Sequence, residues 1–272
     1  MSFCRNSKNI FIQFINKIPF YGAAILCLED ANLMDILPQV KKRVVTYGLT
    51  SQADIYAREL GTEGLTSQFS VYHKDCCLGK VHLSLPGRHN VLNALAAVAV
   101  GVELEIPFEV LSAALHTFSG VQRRLEIKGE FAGITVIDDY GHHPTEIKAT
   151  LAALRAAWPT RRLVVLFQPH RYTRTQALFK EFCTAFNEAD CLYVTDIYPA
   201  SETPIEGVNS EVLVEGIRQH GHKNVERSAD LDELPGEIIP VLQHGDVVLT
   251  LGAGNIVGAG EQLLETLQGK RA

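Results

Sequence analysis

The sequence has no excess of basic residues: 25 Lys and Arg stand against 31 Asp and Glu, a formal charge of −6. That excludes a broad phosphate-neutralising face, so no nucleic-acid partner is expected. Its longest strongly apolar stretch, Val91 to Val102, is interrupted by Asn93 and falls well short of the roughly 20 residues needed to cross a bilayer. No membrane insertion is expected. The opening MSFCRNSKNIFIQF lacks an apolar core followed by a small-residue cleavage site. No secretory signal is read there, and a cytoplasmic location is the expectation. The six cysteines include no CxxC pair, and adjacent Cys76 and Cys77 are poorly spaced for zinc, so reduced thiols and no cysteine-held zinc are expected. No fixed-period repeat or low-complexity tract is visible either.

What is present is ordinary globular composition, 46% hydrophobic and 21% charged over 272 residues, enough for roughly two domains. In the first part, spacing predicts a helix around Phe11–Ile18 stopped by Pro19, a strand over 22–28, a short helix over 35–40 and a strand over 44–48. Ile55 to Leu60 reads as a short amphipathic segment. Residues 66–85 alternate as a hairpin turning at Leu78-Gly79-Lys80. Asn90 is a candidate N-cap for a long helix, and Pro107 opens another.

From about residue 120 the pattern changes to strands alternating with helices. Strands are predicted at 134–137, 163–167, 191–194 and 247–251, with helices over 144–158, 175–189, 210–220 and 258–267. Continuous apolar strands separated by helices predict a mostly parallel sheet covered on both faces.

In such sheets ligands sit beyond the carboxyl ends of the strands. Three strand ends here run into polar strings: Asp138-Asp-Tyr-Gly-His-His-Pro-Thr-Glu146, Gln168-Pro-His-Arg-Tyr-Thr-Arg174 and Gly252-Ala-Gly-Asn-Ile256. Their convergence on one edge says more than any single string. Asp138 and Asp139 suit a metal, ribose hydroxyls or a helix cap. Tyr140, His142 and His143 suit substrate positioning or proton transfer near neutral pH. His170, Arg171 and Arg174 offer an imidazole and two guanidiniums, whose forks match carboxylates and phosphates. The alternative is a solvated loop with surface arginines. Gly252 to Gly258 misses the dinucleotide-binding spacing and reads as a tight turn that lets a helix pack closely. Asn90 and Asn93 lie three apart, and side-chain amides suit an adenine edge. Arg123 and Arg124 are either a phosphate clamp or a surface pair.

In combination and order, the strings LPGRHNVLNALAA, FSGVQRRLEIKGE, VIDDYGHHPTEI, FQPHRYTRT and LTLGAGNI resemble the Mur ligase family from about Phe11 to the C-terminus. The resemblance implies an α/β chain: part of a central ATPase domain over 1–120, followed by a Rossmann-like C-terminal domain over 121–272. It implies ATP and Mg²⁺ as cofactors, and UDP-N-acetylmuramate and L-alanine as substrates. An acyl phosphate formed on the muramoyl carboxylate is attacked by the alanine amine in peptidoglycan precursor synthesis. It places Asn93 at adenine, Asp139 at ribose, Arg124 near the phosphates and Tyr140 and His142 near nucleotide and substrate. His170, Arg171 and Arg174 recognise or orient substrate, the amino acid included. One departure stands out: no GxxxxGK followed by Ser or Thr occurs. The expectation is therefore a partial ligase with an unpaired edge or apolar face in its first half; the alternatives are a non-catalytic nucleotide- or precursor-binding relative and a murein-tripeptide ligase relative. Such a partial ligase would be inactive alone, since phosphate-cradling donors and metal ligands supply most of the charge stabilisation.

Overall fold

The computed structural model describes residues 2–228 and 230–269, with side chains from Ser7 onward. It is mixed α/β and divides into two compact units, the first ending at Ser119 and the second beginning at Gly120.

The first unit runs α1 (Ser2–Ile15), β1 (Ala24–Cys27), α2 (Ala31–Ile36), β2 (Val44–Gly48), β3 (Ile55–Glu63), β4 (Thr66–His73), β5 (Cys76–Leu83), α3 (Arg88–Glu103) and α4 (Phe108–Thr117). Its sheet has the order β1-β2-β3-β4-β5, parallel across the first three strands and antiparallel across the last three. Alternate residues of the antiparallel strands, Ile55, Ala57, Phe69, Val71 and Val81, pack on Val91, Leu95 and Val98 of α3, as a period of two requires. β1 forms the sheet edge, and Phe11, Phe14, Phe20 and Tyr21 nearby in sequence are exposed.

Three sequence readings change here. Ile55 to Leu60 belongs to a strand, because six residues satisfy either period and the pairing with β4 decides. The hairpin reverses at Lys74-Asp75, with Lys74 at φ 54. Gly79 instead lies inside β5, where a Cβ would come within 2.8 Å of the Phe108 ring. Helix α3 starts ahead of Asn90: Gly87 is its N-cap, and Asn90 Nδ2 donates back to the Pro86 carbonyl at 2.8 Å.

The second unit runs β6 (Glu126–Phe131), β7 (Ile134–Asp139), α5 (Pro144–Ala157), β8 (Leu163–Phe167), α6 (Tyr172–Ala177), α7 (Phe179–Phe182), β9 (Cys191–Val194), α8 (Ser210–Gln219), β10 (Val225–Arg227), α9 (Leu234–Ile238), β11 (Val247–Leu251) and α10 (Val257–Leu267). The sheet order is β10-β9-β8-β11-β7-β6, parallel except for β6. Every residue of β7, β8 and β11 is buried, which is why β8 reads as an unbroken apolar run and the other two as mainly apolar ones. β6 and β10 escape the sequence reading because one is a polar edge strand and the other is three residues long. The helix expected over 175–189 is broken: Leu178, at φ −113, separates α6 from α7. Phe182 and Phe186 nevertheless pack on Phe167 with ring centroids 5.8 and 4.9 Å away. Cys27, Cys76, Cys77, Cys183 and Cys191 are unpaired thiols. The side chain of Cys4 lies outside those described.

His222, between α8 and β10, is buried, and neither ring nitrogen has a hydrogen-bond partner. Burial pushes its pKa down, against a weaker upward pull from Asp190 and from the Ala189 and Phe186 backbone, which lie near the ring without hydrogen-bond geometry. A buried unsatisfied N–H costs about 1–3 kcal/mol. His222→Leu is therefore expected to stabilise the second unit by about 1 kcal/mol at pH 7.5. The gain grows on acidification. The unfolded imidazole takes up a proton below about pH 6.5 while the folded one resists it, so the parent loses stability as pH falls and the variant loses less. Urea unfolding followed by Trp158, the only tryptophan of the chain and a residue of this unit, measures both effects. Identical pH dependence in the two proteins would refute the assignment.

Candidate functional site

β7, β8 and β11 are parallel neighbours in register, Leu251 lying opposite both Asp139 and Phe167. The three polar strings therefore leave the sheet at one edge. Successive residues of β7 point to opposite faces, and both faces are covered, so Asp138 and Asp139 are both buried. Asp138 accepts from Arg123 Nε at 2.8 Å and from Thr250 Oγ1 at 2.7 Å. Arg123 also donates to the carbonyls of Gly252 at 2.7 Å and Gly254 at 3.2 Å. One guanidinium thus ties the end of β7 to the glycine turn after β11. Asp139 accepts from the backbone N–H of Leu125 at 2.9 Å and of Gly141 at 2.7 Å, one on each oxygen. Burial raises its pKa, and those two bonds oppose the rise.

The loop so held presents Tyr140 and His142. Glu146 accepts the backbone N–H groups of His142 and His143, each at 3.1 Å, and His143 Nδ1 accepts from Thr145 N at 3.2 Å. This is a capping box with histidine at the N-cap. His143 thus caps α5, while His142 Nδ1 lies 3.0 Å from the Tyr140 carbonyl. A carbonyl only accepts, so the proton belongs on His142 Nδ1 and Nε2 is left as an acceptor.

His170 takes the opposite tautomer. Arg174 Nη1 donates to its Nδ1 at 3.1 Å and to its carbonyl at 3.2 Å. A guanidinium only donates, so His170 carries its proton on Nε2. The two imidazoles lie 5.7 Å apart between centroids. Burial depresses the pKa of each first. In His142 the Tyr140 carbonyl and Glu146 oppose the fall, whereas in His170 Arg174 deepens it. At neutral pH the site therefore holds two uncharged imidazoles, one presenting an acceptor and one a donor, beside fixed cations.

Those cations differ in setting. Arg174 is half-buried and Arg171 exposed. Arg124 is half-exposed, with Nη1 3.5 Å from Glu146 Oε1 and its guanidinium 5.7 Å from the centre of the Tyr140 ring. Arg123 lies 5.1 Å from the same ring centre. The Gly252–Gly258 string forms the tight turn read from it. A Cβ on Gly252 would come within 2.8 Å of the Gln168 carbonyl, and one on Gly260 within 2.9 Å of Thr250. Gln168 Nε2 donates to Asn255 Oδ1 at 2.8 Å. Asn93 belongs to the first unit, exposed on α3. Tyr198 and Glu202, which touch the 170–174 loop, escaped the sequence reading. The signal was the polar string Asp196–Glu202 after β9, a fourth parallel strand ending at this edge. Among the described residues, no three His, Cys, Asp or Glu side chains are grouped to hold a metal ion. No helix among them is long and apolar enough to cross a membrane.

Comparison with known proteins shows what the chain is similar to. Residues 5–101 match the Mur ligase middle domain, a match that begins before Phe11, and residues 123–254 match the Mur ligase glutamate ligase domain. A UDP-N-acetylmuramate–L-alanine ligase of Geobacter sulfurreducens is 57% identical over 264 residues, 97% of this chain and 57% of the relative. One of Desulfotalea psychrophila is 57% identical over 260 residues, 96% of this chain and again 57% of the relative. The crystal structure of a UDP-N-acetylmuramate-alanine ligase of Thermotoga maritima superposes with a TM-score of 0.74 at 27% identity, covering 91% of this chain and 52% of that one. The chain thus spans little more than half the length of these relatives.

Proposed function

The chain belongs to the Mur ligase family, and on that premise we propose that its second unit carries the amino-acid site of a ligase. That ligase joins L-alanine to the muramoyl carboxylate of UDP-N-acetylmuramate at the expense of ATP. The observation that carries the reading is the approach of two imidazoles at one sheet edge, His142 Nδ1 bonded to the Tyr140 carbonyl and His170 Nδ1 to Arg174 of the Arg171–Arg174 loop.

The guanidinium of Arg174, with Arg171 beside it in the loop, receives the amino-acid carboxylate as a charge-assisted pair. His142 Nε2, an unprotonated acceptor, takes a proton from the ammonium group and so frees the amine as nucleophile. His170 Nε2–H donates to an oxygen of the substrate. When bound, ATP supplies the phosphoryl group that activates the muramoyl carboxylate. Arg124, half-exposed and next to Tyr140, is the cation available to the anionic groups that develop there. Asn93 keeps its assignment to the adenine edge through its exposed amide. Asp139 is assigned differently from the sequence expectation: it is buried with a backbone N–H on each oxygen, so it holds the Tyr140–His142 loop instead of reaching for a ribose. Mg²⁺ is not placed on these residues, since they do not group into a donor set.

The test uses the 272-residue chain. His142 and His170 ring resonances are followed by NMR during titration with L-alanine at pH 7.5, then during a pH titration without it. Both rings are expected to shift with L-alanine and to titrate below about pH 6.5. Rings indifferent to L-alanine, or a His142 charged at pH 7.5, would count against the reading.

A further inference from the structure

The loop that carries His170, Arg171 and Arg174 has little support of its own. Arg171 is the N-cap of α6, stands at φ 74 and makes no side-chain cap bond. A non-glycine residue in that region persists only where its surroundings impose it. Here the surroundings are a second loop, the segment joining β9 to α8.

Two residues of that segment, Tyr198 and Glu202, tie the loops together. Tyr198 N donates to the Pro169 carbonyl and Arg171 N donates to the Tyr198 carbonyl, both at 2.8 Å, forming a parallel bridge at His170. The Tyr198 ring then stacks on the His170 imidazole, centroids 5.4 Å apart and planes 12° from parallel. Four residues on, the Glu202 carboxylate accepts Thr173 Oγ1 at 2.6 Å and Thr173 N at 3.0 Å. It supplies from outside the cap that Arg171 cannot give. Between them Ala200 and Ser201 stand at φ 47 and 70, two consecutive left-handed residues that turn the chain so that Tyr198 and Glu202 reach the same loop. Behind Tyr198 the glycine turn closes in: a Cβ on Gly254 would come within 2.9 Å of Tyr198 Cγ.

We propose that Tyr198 and Glu202 are positioning residues that orient His170, Arg171 and Arg174, and so set how the site grips the carboxylate of its amino acid. The stack fixes the plane of His170, and His170 Nδ1 in turn anchors Arg174. Glu202 fixes Thr173 and with it the first turn of α6, between the two arginines. Its carboxylate stays ionised, its pKa lowered by the two bonds from Thr173 and less strongly by Arg171. The charged and titratable groups around His170 are Arg174, His142, Arg171, Glu202 and the stacked Tyr198. The grip on a carboxylate rests on the amino-acid-site reading above; the positioning of the loop does not.

Tyr198→Leu, Tyr198→Phe and Glu202→Ala in the 272-residue chain separate the two. Three signals are read by NMR: the His170 ring, exchange of the Thr173 amide, and the response to L-alanine. Tyr198→Leu is expected to abolish the ring-current shift of His170, raise its titration midpoint by unburying the ring, and weaken the L-alanine response about fivefold to tenfold. Tyr198→Phe, which keeps the stack, retains all three. Glu202→Ala is expected to speed Thr173 amide exchange about fivefold and to weaken the L-alanine response. Folding is checked by Trp158 fluorescence. Unchanged His170 and Thr173 signals in folded Tyr198→Leu and Glu202→Ala proteins would overturn the positioning role. If the parent ignores L-alanine, the site reading fails, while the His170 and Thr173 signals still decide the positioning.

Discussion

Replacing Arg123 with alanine is expected to destabilise the second unit by about 3–5 kcal/mol, the cost of breaking a buried ion pair from one side. Asp138 is fully buried, and its remaining bond, from Thr250 Oγ1, is one neutral donor against a full charge. The loss is larger than for the surface pairs of this unit, such as Arg218–Glu215, where both partners are half-exposed and about 0–1 kcal/mol is typical. Arg123 also satisfies the carbonyls of Gly252 and Gly254, so its removal loosens the glycine turn that backs Gln168 and Tyr198. The double variant Arg123→Ala/Asp138→Asn separates the two effects. Removing the orphaned charge should recover most of the loss, because the penalty comes from the unpaired carboxylate more than from the missing attraction. Urea unfolding followed by Trp158 reads this unit selectively. That ring sits at the opposite edge of the sheet, stacked on Arg161 at 5.0 Å, away from the substitution. A loss below about 1 kcal/mol in Arg123→Ala would show that water reaches Asp138 and that the pair is not a structural bolt.

Arg123 also marks the boundary of what the sequence discloses. The strands that matter most were legible because they are buried on both faces: LVVLF and VVLTL admit no reading but an interior strand once turns bound them. The convergence of three polar strings followed from parallel order alone. The division of labour within the strings was not legible. Asp138 and Asp139 are adjacent and identical, yet one is an ion-pair partner and the other a backbone acceptor, because successive strand residues face opposite ways. His142 and His143 likewise part company only when α5 takes His143 as its cap. Arginines could not be sorted by composition either: Arg161 and Arg162 serve backbone carbonyls and buried Asp246 at the far edge, while Arg171 and Arg174 face the site edge. In the first unit the errors were local. Six residues of Ile55–Leu60 cannot distinguish a period of 2 from 3.6, and a glycine at position 79 looks like a turn until Phe108 is found against it.

The second large effect concerns Arg174. Its side chain is half-buried and donates twice to His170, so its guanidinium is fixed before any ligand arrives, and binding an anion there costs little additional ordering. Arg174→Ala is expected to weaken the L-alanine response of the chain by about 30-fold to 150-fold, the ~2–3 kcal/mol typical of a charge-assisted bond in a partly buried site. A second signature follows from the sign of its influence on His170. Burial lowers that imidazole's pKa first, and Arg174 lowers it further. Removing the cation should therefore raise the His170 midpoint toward the ordinary histidine value. The neutral form would then be lost at a higher pH than in the parent, and L-alanine binding would fall away from pH 7.5 to 6.5 more steeply. Arg174→Lys keeps a charge but not the planar fork that reaches both Nδ1 and the carbonyl of His170. It should restore the His170 midpoint more fully than it restores L-alanine binding. If Arg174→Ala lowers the His170 midpoint, or leaves the L-alanine response intact, the arginine is a loop brace and the carboxylate must be received elsewhere.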